Sequence, residues 1–228
     1  MTGLPLSAPA GSGAGSGSEP GRDCPLCPRL ASLRVRMRGV EPLWHNAPVP
    51  AFGGVDARLL VVGLAPGLNG ASRTGRPFTG DYAGDLLYAT LQRFGFAEGD
   101  YGKSPDDGLR LVDCRITNAV RCVPPENKPT TAEIAACRPF LEAEIAALPT
   151  LRAILALGLI AHNAVLTAFG ERRSRWPFAH GARHPLPNGL LLADSYHCSR
   201  YNTNTGRLTE AMFQEVFQGL RRYLDEAD

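Results

Sequence analysis

Arg58-Leu-Leu-Val-Val-Gly63, running on into Leu64-Ala-Pro-Gly67, is the stretch that sets the fold. Apolar residues at successive positions, rather than at every second one, mark a strand covered on both faces. The proline and glycine that follow end it in a close-fitting loop. Three further runs read the same way: Cys114-Arg-Ile-Thr-Asn-Ala-Val120, Arg152-Ala-Ile-Leu-Ala-Leu-Gly158 and Leu190-Leu-Leu-Ala-Asp-Ser195. Helical patterns lie between and after them. Thr130 and Glu133 have capping-box spacing and open a helix to about Ala147, with Ile134, Cys137, Leu141, Ile145 and Leu148 at helical intervals. A second helix covers Leu159 to Phe169. Thr209 caps a last one, whose Met212, Phe213, Val216, Phe217, Leu220 and Leu224 share a face. Strands alternating with helices predict an α/β fold: a three-layer αβα sandwich around a mostly parallel four-stranded sheet.

A chain of 228 residues with 44% apolar content suits one compact domain with a sizeable core. Residues 1–20 are rich in Gly, Ser, Ala and Pro and are expected to form a flexible tail, leaving 21–228 as the domain. That tail has neither the basic start nor the apolar centre of a targeting peptide, and no apolar stretch is long enough to cross a bilayer. The expectation is a cytoplasmic monomer without a membrane partner. The net charge of +2 is too small to announce a nucleic-acid partner, but its distribution is uneven. Arg172, Arg173, Arg175 and Arg183 face only Glu171, and Ser195 to Thr209 carries Arg200 and Arg207 with no acid. One side of the molecule is therefore free to face phosphates, although a solvated charge run reads the same way.

In open α/β sheets the site lies beyond the carboxyl ends of the strands. The unusual residues fall there: Gly63 to Gly67 and Asn69-Gly70 after the first run, Asn118 and Arg121-Cys122 at the second, Tyr196-His-Cys-Ser199 after the fourth. Gly63 to Gly67 lacks the Gly-Lys-Ser/Thr ending of a phosphate-binding P-loop, which argues against a nucleotide hydrolase.

These segments carry a resemblance. Gly63-Leu-Ala-Pro-Gly67 resembles the first motif of the family 5 (type B) uracil-DNA glycosylases, and Arg73-Thr-Gly-Arg-Pro-Phe-Thr-Gly-Asp81 their base-stacking loop. Thr117-Asn-Ala-Val-Arg-Cys122 resembles the segment bearing the base-reading Asn. Asp194-Ser-Tyr-His-Cys-Ser-Arg-Tyr-Asn-Thr-Asn-Thr-Gly206 resembles the last motif, with its His and DNA-inserting loop. The match runs in order from about Cys24 to Tyr223. Cys198 stands where a Pro often follows the His.

Of six cysteines, Cys24-Pro-Leu-Cys27 is a metal-type pair, and a cytoplasmic protein has little use for a structural disulfide. Cys122 and Cys137 resemble the other half of the family's iron–sulfur site. Cys122 is favoured over Cys114 because Cys114 falls inside a buried strand, whereas Cys122 begins a loop. Spacing alone does not separate zinc from iron–sulfur. The resemblance implies a structural [4Fe–4S] cluster on Cys24, Cys27, Cys122 and Cys137.

It also implies the chemistry. A glycosylase extrudes its target base into a pocket and hydrolyses the N-glycosidic bond, leaving negative charge on the departing base. Phe78 is expected to stack on the base, and Asn118, with one donor and one acceptor, to read the O4/N3 edge of uracil. His197 is expected to donate to O2, and Gly63, Leu64, Ala65 and Gly67 to bring backbone close to the base. The first motif has no carboxylate, so Asp81 is expected to position the attacking water, with Asp85 as second choice. Ser199, Arg200, Asn204 and Arg207 are expected to hold DNA. Such a permissive first motif fits a base range of uracil, hypoxanthine, xanthine and ethenocytosine, the range that the resemblance implies. The alternative is a non-catalytic, metal-containing DNA-binding protein with a glycosylase-like fold.

Overall fold

The computed structural model describes residues 19–226. Most of the expected tail, 1–20, thus lies outside the described residues. Glu19, the first described, already accepts the Ala51 N–H at 2.8 Å. The elements in chain order are α1 (Pro28–Val40), β1 (Leu59–Gly63), α2 (Ala71–Thr74), α3 (Tyr82–Arg93), β2 (Ala97–Glu98), β3 (Arg110–Leu111) and β4 (Cys114–Asn118). There follow α4 (Thr131–Ala146), β5 (Ala153–Leu157), α5 (Leu159–Ala168), β6 (Arg183–Pro185), β7 (Leu191–Ser195), α6 (Arg200–Asn204) and α7 (Glu210–Asp225).

The four apolar runs become β1, β4, β5 and β7, all parallel, in the order β4-β1-β5-β7. Alternate residues feed two cores. Leu59, Val61, Ile116 and Leu155 pack with Leu87, Leu91, Phe213 and Phe217 of α3 and α7. Leu60, Val62, Ile154 and Leu192 pack with Leu141, Val165 and Leu166 of α4 and α5. Burial on both faces is why these strands read as unbroken apolar runs.

The sheet has five strands, one more than the sequence predicted. β6 joins antiparallel at the β7 edge, and β2 and β3 form a separate pair. Arg183-His184-Pro185 carries no apolar run, and its anchor is polar. The carboxylate of buried Asp194 lies within hydrogen-bond distance of His162 Nδ1, at 2.8 Å, and of His184 Nε2, at 3.0 Å, and His162 Nε2 lies 2.8 Å from the Trp176 carbonyl. One carboxylate thereby ties α5, β6 and β7 together.

The helix starts follow the caps. Thr130 and Glu133 form the full capping box of α4, and the Thr209 hydroxyl accepts the Met212 N–H at the start of α7. The stretch from Arg200, expected as a loop, begins instead as the short helix α6. Ser199 caps it, and Gly206 turns the chain beyond its end with φ 70°.

Candidate active site

The loops after β1, β4 and β7 enclose a cavity of about 320 Å³. Leu64 to Gly67, Phe78, Asp81 and Asn118 line its wall. His197, Ser199 and Arg200 line it as well. Of the residues expected at the base, only Gly63 is not in the wall. It lies behind it: a Cβ there would sit 2.4 Å from Asn118 Oδ1 and 2.6 Å from Phe78 Cζ. Glycine is what lets both side chains reach the pocket.

Asn118 is buried, and its Oδ1 has no hydrogen-bond partner among the described residues. A buried acceptor left unpaired is costly, and this one belongs to a residue that lines the cavity. Phe78 holds φ 52°, a left-handed conformation that disfavours a bulky residue by about 1–3 kcal/mol. The surroundings enforce it. Tyr101 donates its hydroxyl proton to the Phe78 carbonyl at 3.2 Å, and a Cβ on Gly84 would meet that same oxygen at 1.7 Å. Behind the loop, buried Arg76 grips Asp107 through two bonds of 2.8 and 2.7 Å and Thr79 through a third. Its guanidinium also lies over the rings of Phe52, Tyr88 and Tyr101.

Asp81 has two engagements. Oδ1 caps α3 by accepting the Gly84 N–H at 3.1 Å, and Oδ2 points at Gly67 and Gly70, where added Cβ atoms would lie 3.1 and 2.5 Å away. Burial raises its pKa, against the pull of the Gly84 N–H. Asp85, the second choice, faces outward and pairs with Lys103 at 2.8 Å.

His197 lies 6.0 Å from the Phe78 ring, centroid to centroid. Burial alone pushes its pKa down to about 4, so the imidazole is neutral at ordinary pH. Gly158 N–H donates to the Ser195 carbonyl at 2.8 Å and Asn202 Nδ2 to the His197 carbonyl at 2.8 Å, fixing the segment on both sides. Ser199 uses its oxygen to cap α6. Arg200 stacks on Tyr82 and Arg207 on Tyr196, at 5.2 and 4.6 Å. Asn204 is exposed at the end of α6.

The sequence reading missed Tyr82 and Asn127, which also line the pocket. Asn127 sits at φ 57° after Pro124-Pro125-Glu126, and Asn in a proline-led turn was the available signal. Arg76, Asp107 and Tyr101 had none, because their partners are distant in sequence.

Cys24, Cys27, Cys122 and Cys137 line one recess, whereas Cys114 is in the core between the sheet, α3 and α7. Buried Arg34 donates to Cys122 Sγ at 3.6 Å, and the Arg121 N–H to Cys137 Sγ at 3.3 Å. Burial pushes the Cys122 and Cys137 thiols up to about 12 and about 11, values that a bound metal would lower by taking the thiolates. Four thiols in one recess, two of them with N–H donors aimed at their sulfurs, fit a thiolate-held metal group. Among the described residues, three or more metal-type donor atoms come within 4.8 Å of one another only at His162, His184 and Asp194, whose donors already bond each other.

Residues 50–221 match the model of the Uracil DNA glycosylase superfamily. A type-5 uracil-DNA glycosylase of Thermus thermophilus is 49% identical over 205 residues, covering 87% of this chain and 93% of that one. Its namesake in Mycobacterium leprae is 44% identical over 208 residues (87% and 90%), and that of Pyrobaculum aerophilum 39% over 200 residues (86% and 87%). With its open α/β sheet, its pocket at the strand ends and these relatives along most of its length, the chain belongs to the uracil-DNA glycosylase superfamily, in its type-5 branch.

Proposed function

We propose that the protein is a DNA repair enzyme that excises uracil from DNA by hydrolysing the N-glycosidic bond. The observation that carries this reading is the unpaired Asn118 oxygen, buried beside Phe78 and His197 in a pocket of small-ligand size. An extruded uracil stacks on Phe78 and offers N3–H to Asn118 Oδ1 and O4 to its amide N–H₂. As the C1′–N1 bond breaks, its electron pair leaves with the base. Neutral His197 donates to O2, where that charge gathers. Asp81 takes a proton from the water whose oxygen bonds to C1′; its raised pKa makes it a better base than an exposed carboxylate. Arg200 and Arg207 meet phosphates, and the Ser199 hydroxyl, accepting as a cap, still has a proton to donate to one; Asn204 extends this contact along α6. The apolar wall from Leu64 to Pro66 supports a base range that includes hypoxanthine, xanthine and ethenocytosine.

A uracil-containing duplex incubated with the protein and then treated with alkali tests this directly. Strand scission at the uracil is expected, with none in a thymine control. Tight DNA binding without scission would favour the non-catalytic reading instead.

Cys24, Cys27, Cys122 and Cys137 hold a [4Fe–4S] cluster that fastens α1 to the start of α4, a structural role remote from the bond being cleaved. The resemblance to an iron–sulfur family and the shared recess of these four thiols support the cluster over a single zinc. Purified protein should be brown, with iron and sulfide nearly equal. Colourless protein with one zinc would reject the cluster, and metal loss in Cys114→Ser but not Cys122→Ser would reject the ligand set. None of the six cysteines is paired in a disulfide, which accords with work in the reducing cytoplasm.

A further inference from the structure

We infer that His180 is a positioning residue for His197, acting through the backbone N–H of Tyr196. The inference rests on the role proposed above for His197. His180 lies outside every motif of the site, on the segment leading to β6. Its Nδ1 accepts the Tyr196 N–H at 3.1 Å, one residue before His197. Its ring stacks on Tyr196, with centroids 5.0 Å apart and planes 24° from parallel. Arg207 lies over Tyr196 at 4.6 Å, so its stretch of chain bears on the same ring as His180.

The backbone N–H beyond the end of a parallel strand has lost its ladder partner and needs another acceptor. At Tyr196 that acceptor is an imidazole nitrogen. Because Nδ1 accepts the Tyr196 N–H, it is the bare nitrogen, and the ring proton of neutral His180 sits on Nε2. Protonation would turn acceptor into donor and set it against the Tyr196 N–H. Burial holds His180 toward the neutral form, opposed by Met212 and by Glu215 of α7. Arg183 of β6 and Glu215 line the cavity beside it, and Arg207 stands across Tyr196. His197 makes no side-chain hydrogen bond among the described residues, so backbone placement is what aims it at the base.

The test compares His180→Phe, which keeps a ring to stack but has no acceptor, with His180→Asn, whose Oδ1 falls near the position of Nδ1. Single-turnover excision of uracil should slow by about 10–100-fold in His180→Phe, the scale of a misplaced catalytic group, with DNA affinity unchanged. His180→Asn should recover to within about threefold of wild type and should lose the part of the acid limb of the rate profile that comes from His180. A wild-type rate in His180→Phe, an Asn variant as slow as Phe, or a parallel loss of DNA affinity would each overturn the inference. His197→Ala run alongside separates the two levels. If it too cleaves normally, the role of His197 falls; if it is slow while His180→Phe is normal, only the positioning role falls.

Discussion

Asp81→Asn should slow single-turnover excision of uracil by about 10²–10⁴-fold, the usual contribution of a general base, while leaving the melting temperature close to wild type. The pairing of outcomes follows from the two oxygens of Asp81. Oδ1 caps α3, and Asn caps a helix as well as Asp does, so the substitution spares the fold and removes only the base. Asp81→Ala should be as slow and in addition less stable by about 1 kcal/mol, the cost of the lost cap. DNA affinity should hold in both. Near-normal cleavage by Asp81→Asn together with a large loss in Asp85→Ala would move the water to Asp85, against the outward Lys103 pair that now holds that side chain.

The second large effect is on stability. Arg76→Ala should lower the unfolding free energy by about 3–5 kcal/mol, because it leaves the Asp107 carboxylate buried without its partner. Equilibrium urea unfolding measures it. The pH dependence has a definite sign. The Arg76 bonds hold the Asp107 pKa down to about 2 from an ordinary 3.8. The pair's contribution is complete above the ordinary value and is lost as pH falls from there toward 2, where the folded carboxylate is protonated. Stability of wild type should therefore drop across that window more steeply than that of Arg76→Ala. Equal slopes would mean that the pair does not stabilise the fold. Since Arg76 also braces the loop that strains Phe78, the variant should lose excision activity even well below its melting temperature.

What the sequence disclosed depended on how local the physics was. β1, β4, β5 and β7 were legible because burial on two faces writes itself as continuous apolar runs. The α4 boundary was legible because Thr130 and Glu133 cap each other within one turn. Asn118 and His197 were legible as pocket residues because parallel strands deliver their ends to one edge of the sheet, and Phe78 because its loop resembles a known motif. β6 was hidden because its hold is a histidine reaching a carboxylate on the next strand. Arg76 with Asp107, and His180 with Tyr196, were hidden for the same reason: each pair is joined across a loop, and neither member looks unusual alone. Asp81 was legible as a turn residue and as a candidate base, and the fold uses it as a helix cap at the pocket's edge.

The margins of the sheet bear on how the protein behaves at high concentration. An open sheet edge is a template on which strands of other molecules can zip up. At one side β6 is three residues long, with an arginine at its start and a proline, which has no N–H to offer, at its end. At the other, β4 is already engaged by Phe52, whose N–H and carbonyl pair with Ile116 at 2.9 and 2.7 Å. A short, proline-ended strand at one margin and a bridge at the middle of the other leave foreign strands less to pair with, which helps guard a sheet of unbroken apolar runs against edge-to-edge aggregation.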